Sequence, residues 1–337
     1  MWILLLLLFL DDCTACGKTL RERANFCTAC GARAIRLLDE AEAAFVRARD
    51  LKARGEWVEA RKELDRAIEL HPLRKYYYLK RGTVKLEIAG GEMEAIEDFA
   101  LVLRLDPKNV EARLGRAAAL VRLSRFRDSA IEWRNAALVH LEDAIALDPT
   151  RVRAWLQLGE LQLERGEGLS ALSALDEAVR LNRIPVTLLA RARGRFHLGH
   201  PREALEDGDE ALRESPSAEG YLLRSAIRAA LGRWGDALDD CTKALQERPE
   251  LAETWIQRGH LRMRLGQFAE AAGDFTRALA LRADDVDSLI ARGRAYYESR
   301  AIDAALADWH RALELRPLLR MTLMPWMEMA RTSRGER

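Results

Sequence analysis

The sequence predicts an all-α protein, a stack of about eight helical hairpins preceded by a small cysteine-rich module. Three observations predict this architecture. The pattern of apolar and small residues returns about every 34 residues from Ala41 to Leu319, which is typical of stacked supersecondary units. Prolines recur near the ends of the repeats, where they stop a helix. Four of the five cysteines lie together before the first repeat.

Each repeat is predicted to form two helices joined by a tight turn. The copies at 218–251, 252–285 and 286–319 show the pattern without gaps. The first helix has a large residue at position 4 of the repeat and a small residue at position 8. The second helix has alanine at positions 20 and 27, which share one face. Proline at position 32 ends six of the copies: Pro72, Pro107, Pro149, Pro216, Pro249 and Pro317.

One copy carries this pattern with Trp155, Leu158, Gly159, Gly166, Ala171, Leu175 and Ala178. On these residues the chain resembles the tetratricopeptide repeat family from residue 41 to residue 319. The resemblance implies a right-handed α-solenoid, in which each hairpin buries its apolar face against its neighbours. The copies cover approximately residues 41–74, 75–109, 110–151, 152–184, 185–217, 218–251, 252–285 and 286–319.

The third copy, residues 110–151, is longer than the others. The stretch before Pro149 exceeds the equivalent stretch before Pro249 by 8 residues, close to two helical turns, so we expect an extended second helix. This extension is predicted to project as a spur, which is either a docking surface or a tolerated insertion. The spur residues are Trp133, His140 and Leu141.

Residues 320–337 are predicted to form a C-terminal cap and a polar tail. The segment up to Met329 is too apolar to remain in water, so we expect it to cover the last hairpin, with Pro325 near its start or at a kink. Its methionines are alternatively an adaptable partner site. From Arg331 the chain is polar and is expected to be disordered.

Positions 7 and 23 of the copies carry opposite charges together. Because antiparallel helices bring these positions side by side, we interpret them as a ladder of interhelical ion pairs, in which arginine suits bidentate contact. Independent surface charge is the alternative. The fourth copy lacks both charges, with Leu158 and Ala174, and the third, aligned at Leu114 and Glu132, does not fit. The pairs are Arg47–Glu63, Arg81–Asp98, Arg191–Asp207, Arg224–Asp240, Arg258–Asp274 and Arg292–Asp308.

The cysteines before the repeats form two C-x-x-C pairs with ten residues between them: Cys13, Cys16, Cys27 and Cys30. A glycine follows each pair and lets the backbone turn toward a metal. Four thiolates suit one closed, tetrahedral, structural zinc site. Residues 13–33 resemble a small bacterial zinc ribbon. Two disulfides are the alternative, and redox catalysis is disfavoured because no βαβ pattern surrounds the cysteines.

Residues 1–12 bear on the location of the protein. Their apolar run ends at Asp11, which is too short for a membrane span of about 20 residues. It lacks the basic start and cleavage site of a secretory signal. We expect it to pack on the ribbon or a neighbouring surface, with a misassigned start or a partial membrane anchor as alternatives. Zinc-bound thiolates favour a reducing compartment, so the cytoplasm is the expected location and membrane association through the N-terminus the alternative.

The sequence contains no evident catalytic constellation. The six histidines are scattered over different copies, and the glycines stand singly at repeat positions instead of forming a phosphate loop. A net charge of +1 predicts no general attraction to nucleic acid. We therefore expect a non-enzymatic scaffold that binds a protein partner. A nucleic-acid-associated regulator that uses the ribbon, or an assembly factor at a membrane, is the alternative.

The tetratricopeptide resemblance implies that positions 2, 5, 9, 12 and 13 of the first helices line a concave surface, which holds an extended peptide or a partner helix. Position 5 is apolar in successive copies, with charged and aromatic residues beside it. Apolar anchors with flanking acids would complement this surface. The alternative is that these residues only solvate the inner face. The predicted contacts are Leu189, Arg193, Phe196, Leu222, Ile256, His260, Arg264, Ile290, Arg294 and Tyr297.

Overall fold

The computed structural model describes residues 35–124 and 130–334, which are helical with short turns between the helices. These ranges contain seventeen α-helices and one short 3₁₀ helix, and no β-strand. The helices form two compact units that divide between Leu161 and Gln162. The prediction of an all-α protein is confirmed for the part of the chain that the structure describes.

In the first unit, each of the first five helices packs on the next one along the chain. The first helix of the described residues starts at Ile35, ahead of residue 41, where the repeat pattern starts. The helices are α1 (Ile35–Ala53), α2 (Trp57–Leu70), α3 (Lys75–Lys85), α4 (Glu92–Leu105), α5 (Val110–Ser124), α6 (Ala130–Leu147) and the start of α7 (Val152–Glu164).

The second unit is a stack of hairpins closed by a single helix. Every first helix in it begins where the sequence pattern begins a copy. The elements are α8 (Gly168–Leu181), α9 (Pro185–His197), α10 (Pro201–Glu214), α11 (Ala218–Ala230), α12 (Trp234–Glu247), α13 (Ala252–Arg264), α14 (Phe268–Leu281), α15 (Val286–Glu298), α16 (Ile302–Leu315), η1 (Pro317–Leu319) and α17 (Arg320–Arg334).

The tight turn inside a hairpin depends on a left-handed backbone wherever the structure describes that turn. Gly232 and Gly266 both have φ +74°, which glycine adopts without steric cost. Arg300 takes the same place in the last hairpin with φ 67°, a conformation that costs free energy for a residue with a Cβ. The chain therefore makes the same turn in the last hairpin with a less suitable residue.

The two helices of a hairpin approach closely where a small residue faces a large one. A Cβ added to Gly293 would lie 2.5 Å from Trp309 Nε1, and one added to Gly259 would lie 2.8 Å from the Phe275 ring. In the sixth repeat both residues are small: Ser225 Oγ lies 3.1 Å from the Sγ of the completely buried Cys241. Burial raises the pKa of this thiol to about 11, so Cys241 packs as a neutral side chain.

The predicted ion-pair ladder is confirmed. In five hairpins the arginine at position 7 donates two hydrogen bonds of 2.6–3.0 Å to one aspartate at position 23. The carboxylate of Asp240 is completely buried, and the side chain of Arg224 is 12% exposed. Arg47 and Glu63 form the same pair at a more exposed site. Buried, bidentate pairs of this kind fix the register of two helices.

The ladder extends further than the sequence analysis expected. A second cation at position 11 also bonds the aspartate, as Arg228 does with Asp240 at 2.8 Å. In the same five hairpins the position 7 arginine also reaches the preceding hairpin, as Arg224 does with Asp209 at 2.7 Å. The other position 11 cations are Lys85, Arg195 and Arg262. One guanidinium thus connects three helices.

The third hairpin differs from the prediction in its register. Helix α6 has 18 residues, whereas the other second helices have 14. Ala137, Leu141 and Ala144 are completely buried and stand at positions 20, 24 and 27 when counted back from Pro149. The extra residues therefore precede the buried part of the helix, and residues 125–129 lie outside the described ranges.

Two predictions for this hairpin are consequently wrong. Leu141 does not project in a spur, because it is completely buried. The ladder positions are occupied by Arg116, the seventh residue counted from the start of α5, and His140, not by Leu114 and Glu132. An insertion at the start of the second helix leaves its buried face in place, since the residues after it keep their helical spacing.

Helix α17 forms the predicted cap. Leu323, Met327 and Ala330 are buried against the last hairpin. Pro325 lies inside the helix. The prediction that the chain is disordered from Arg331 is wrong, because the helix continues to Arg334. The last three residues, 335–337, lie outside the described ranges.

The second cation at position 11 predicts unequal costs for two similar substitutions. Asp308 has Arg292 as its only ion-pair partner in the described residues, whereas Asp274 is bonded by Arg258 and Arg262. Arg292→Leu should lower the free energy of unfolding by about 3 kcal/mol, the usual cost of stranding a buried charge. Arg258→Leu should cost about half as much, because a cation remains.

Urea unfolding followed by circular dichroism checks this difference. Adding Asp274→Ala to Arg258→Leu should cost less than the sum of the two single changes, because the residues are directly coupled. The shared-carboxylate arrangement would be contradicted if the two arginine variants lost the same free energy of unfolding and the costs in the double variant were additive.

Candidate functional site

The first helices of three successive hairpins in the second unit line a concave cavity of about 1050 Å³. Helices α11, α13 and α15 supply most of its wall. Its apolar and aromatic residues are Ala226, Ala229, Trp234, Leu261, Met263, Phe268, Ile290 and Ala291. Its polar residues are Gln257, His260, Arg264, Asp287, Arg294 and Glu298.

Four of the predicted contact residues meet in this cavity: His260, Arg264, Ile290 and Arg294. His260 and Arg294 occupy position 9 of adjacent repeats, so the repeat itself brings them onto one face. Apolar surface from Ile290 lies between charged groups. The cavity therefore offers hydrophobic contact and directional polar groups together, which is the composition of many ligand sites.

The remaining predicted residues lie elsewhere. Leu189, Phe196 and Ile256 are half-buried and pack against apolar clusters formed by their own and adjacent hairpins. Leu222 is also half-buried, and Arg193 is exposed on α9. None of these five residues lines the cavity.

Tyr297 is covered by the cap helix. Its ring lies 6.1 Å from the Trp309 ring and 6.3 Å, edge to face, from the Trp326 ring. The Arg294 guanidinium also lies over the Trp326 ring, 5.4 Å from its centroid. The cap thus packs on the last hairpin beside the cavity, and Arg294 connects the two.

His260 is a neutral polar group of the cavity. The residue is solvent-exposed as a whole, but its ring packs edge to face on Phe275 with centroids 5.1 Å apart. Burial of the ring lowers the pKa of His260 below its usual value. At neutral pH the imidazole therefore offers one donor and one acceptor without a charge.

Two arginines and two acids set the charge of the cavity. The Arg264 guanidinium lies 5.8 Å from the centre of the Trp234 ring, a cation–π arrangement. Asp287 and Glu298 are exposed at the wall. The cavity therefore contains charges of both signs.

Two aromatic residues of this cavity were not among the predicted contacts. Trp234 and Phe268 start the second helices α12 and α14, at position 17 of the repeat. The positions that the resemblance assigns to partner contact lie only on first helices. A usable signal was present, because Trp57 stands at the same position of the first repeat and the aromatic residue therefore recurs.

The predicted zinc ligands Cys13, Cys16, Cys27 and Cys30 lie outside the described residues. Within residues 35–124 and 130–334, no group of three His, Cys, Asp or Glu side chains is placed to hold a metal ion. No described helix has the length and apolar character needed to cross a membrane.

The fold is that of a helical-repeat protein, and comparisons with known proteins identify the repeat. A family model described as tetratricopeptide repeat matches residues 189–252 and 256–318. The chain therefore contains tetratricopeptide repeats, as its sequence pattern predicted. A comparison with curated proteins gives no match.

Three solved structures have a similar fold. A thermophilic tetratricopeptide repeat protein of Thermus thermophilus is 23% identical over 57% of this chain and 98% of its own, with a TM-score of 0.50. A tetratricopeptide repeat protein of Parabacteroides merdae is 19% identical over 76% and 99%, with a TM-score of 0.58. A chain of the APC/C hetero-tetramer Cut9–Hcn1 is 18% identical over 87% of this chain and 55% of its own, with a TM-score of 0.64. At these identities the similarity shows the fold alone.

Proposed function

We propose that this protein is a non-enzymatic scaffold that binds a peptide or helix of a partner protein along the inner faces of its hairpins. The observation that carries the proposal is the cavity of about 1050 Å³ lined by α11, α13 and α15. Tetratricopeptide repeats act as scaffolds for protein interactions, and the cavity lies on the first-helix positions that the resemblance assigns to partner contact.

The lining supports a particular kind of ligand. Trp234, Met263 and Phe268 supply apolar and aromatic surface, which anchors a large hydrophobic side chain. Arg264 and Arg294 stand on adjacent hairpins and attract carboxylates. The ligand is therefore an apolar or aromatic anchor flanked by Asp or Glu.

We also propose that the N-terminal cysteines hold one structural Zn²⁺. The support is chemical: four thiols in two C-x-x-C pairs are the donor set of a closed tetrahedral zinc site. Bound zinc supplies folding free energy to the module and no catalysis, because all four positions of the metal are taken by protein. This module is a second contact surface or a cap for the repeats.

A peptide-display selection on the full-length protein tests the cavity. Selected peptides should carry an apolar or aromatic anchor beside Asp or Glu. Arg264→Glu places a negative charge against that acid, and we expect affinity for a selected peptide to fall at least about tenfold, which corresponds to 1.4 kcal/mol. Fluorescence polarisation measures the change.

Arg277→Glu is the matched control, since Arg277 is exposed on α14 of the same hairpin and does not line the cavity. It should leave peptide affinity unchanged. The proposal fails if both variants lose affinity equally, or if the Arg264→Glu variant binds the peptide like the unmodified protein.

Metal analysis of the purified protein tests the zinc site. We expect about one zinc per chain, and Cys27→Ser should lose it while the helical circular dichroism signal of the repeats persists. Cys241→Ala is the control, because Cys241 is buried between α11 and α12 and should not affect the metal. Absence of zinc, or two disulfides seen by mass spectrometry, would exclude the site.

A further inference from the structure

The third hairpin has the arginine of the ion-pair ladder at position 7 but lacks the acid at position 23. Arg116 stands at position 7, where the other hairpins have their pairing arginine. The partners in the other hairpins are an acid at position 23 and an aspartate or a threonine at position 25 of the preceding hairpin, and both are missing here. Position 23 is His140, and position 25 of the preceding hairpin is Ala100.

The other hairpins show what Arg116 lacks. Arg224 bonds Asp240 of its own hairpin and Asp209 of the preceding one, both at 2.7 Å. Arg81 makes the same pair of contacts, with its own and with the preceding hairpin. In the described ranges, no hydrogen bond or ion pair joins Arg116 to another side chain, and its buried Nε has no partner.

The surroundings of Arg116 are basic. Burial lowers the pKa of Arg116, and the charge of Arg104 lowers it further. Burial also lowers the pKa of His140 to about 4, helped by Arg116 and Arg113, so the imidazole is neutral and its buried Nδ1 has no hydrogen-bond partner. The nearby carboxylate of Asp143 is bonded by Arg113. An anion at this place would lie beside cationic side chains and an imidazole whose Nδ1 has no hydrogen-bond partner.

The fourth repeat provides the internal comparison. There both ladder positions have lost their charge, with Leu158 and Ala174. An apolar residue is therefore tolerated at position 7. A half-buried arginine without a carboxylate costs free energy, because its desolvation is not offset by an ion pair. Retaining Arg116 without an acid is unfavourable unless a carboxylate comes from outside the hairpin.

We propose that Arg116 binds a carboxylate group of a ligand, which accepts hydrogen bonds from Arg116 as Asp240 accepts them from Arg224, beside the His140 ring that stands at position 23. The ligand oxygens accept hydrogen bonds from the Arg116 guanidinium, and Arg104 and Arg113 add attraction for further negative charge. Both a small carboxylic acid and an acidic side chain of a peptide have this chemistry. The site shares no residue with the cavity lined by α11, α13 and α15.

An NMR titration of the full-length, ¹⁵N-labelled protein with sodium acetate tests the site. The Nε–H resonance of Arg116 is identified by its absence in Arg116→Leu, a change that imitates Leu158. Acetate should shift this resonance to saturation, and sodium chloride at equal ionic strength should not. His140→Asp supplies the missing carboxylate within the hairpin, so it should abolish the acetate shift and raise the Tm by about 3 °C.

A second arm identifies the source of the carboxylate. Binding of an N-acetylated hexaglutamate peptide at least about tenfold tighter than acetate assigns an acidic peptide, and similar affinity assigns a small acid. If His140→Asp does not fold, Ala100→Asp supplies the acid from the preceding hairpin and replaces it. The proposal is overturned if acetate causes no saturable shift, or if the acid-restoring variant shows the same shift as the unmodified protein.

Discussion

The bidentate contact between arginine at position 7 and aspartate at position 23 is the interaction on which the rest of the structure depends. Arg224 shows its reach, because one guanidinium bonds Asp240 in its own hairpin and Asp209 in the preceding one. Charges buried this deeply have few alternative arrangements, since any slip of one helix would strand them. Hydrophobic burial holds the stack together, and the ladder determines which residues face each other.

This register creates the cavity. Ala226, His260 and Arg294 stand at the same position of three successive repeats, and the fixed stacking of α11, α13 and α15 brings them onto one wall. Close approach of the helices requires small residues such as Gly259, where an added Cβ would meet Phe275. The same contacts that stabilise each hairpin therefore position the groups that we assign to ligand binding.

Much of this was predictable, because the repeats of one chain can be aligned with each other. The period predicted the hairpins, and paired charge predicted the ladder. The register of the third hairpin was missed, although Arg116 is the seventh residue from Val110 and His140 stands at position 23 when counted back from Pro149. Burial of Ala137 shows that this count is the correct one, because the insertion precedes that residue. Trp234 was missed because it projects into the cavity from the start of a second helix. The contact of Trp326 with Tyr297 depends on how the cap packs on the last hairpin, and the repeat pattern contains no information about that packing.

Native-state hydrogen exchange in Asp240→Ala is the most direct test of the ladder as the constraint on register. Asp239→Ala is the matched control, since Asp239 is the exposed neighbour on the same helix. We expect faster amide exchange in α11 and α12, and also in α10, because Arg224 connects that helix through Asp209. Faster exchange confined to α12, or equal exchange in the two variants, would contradict this account.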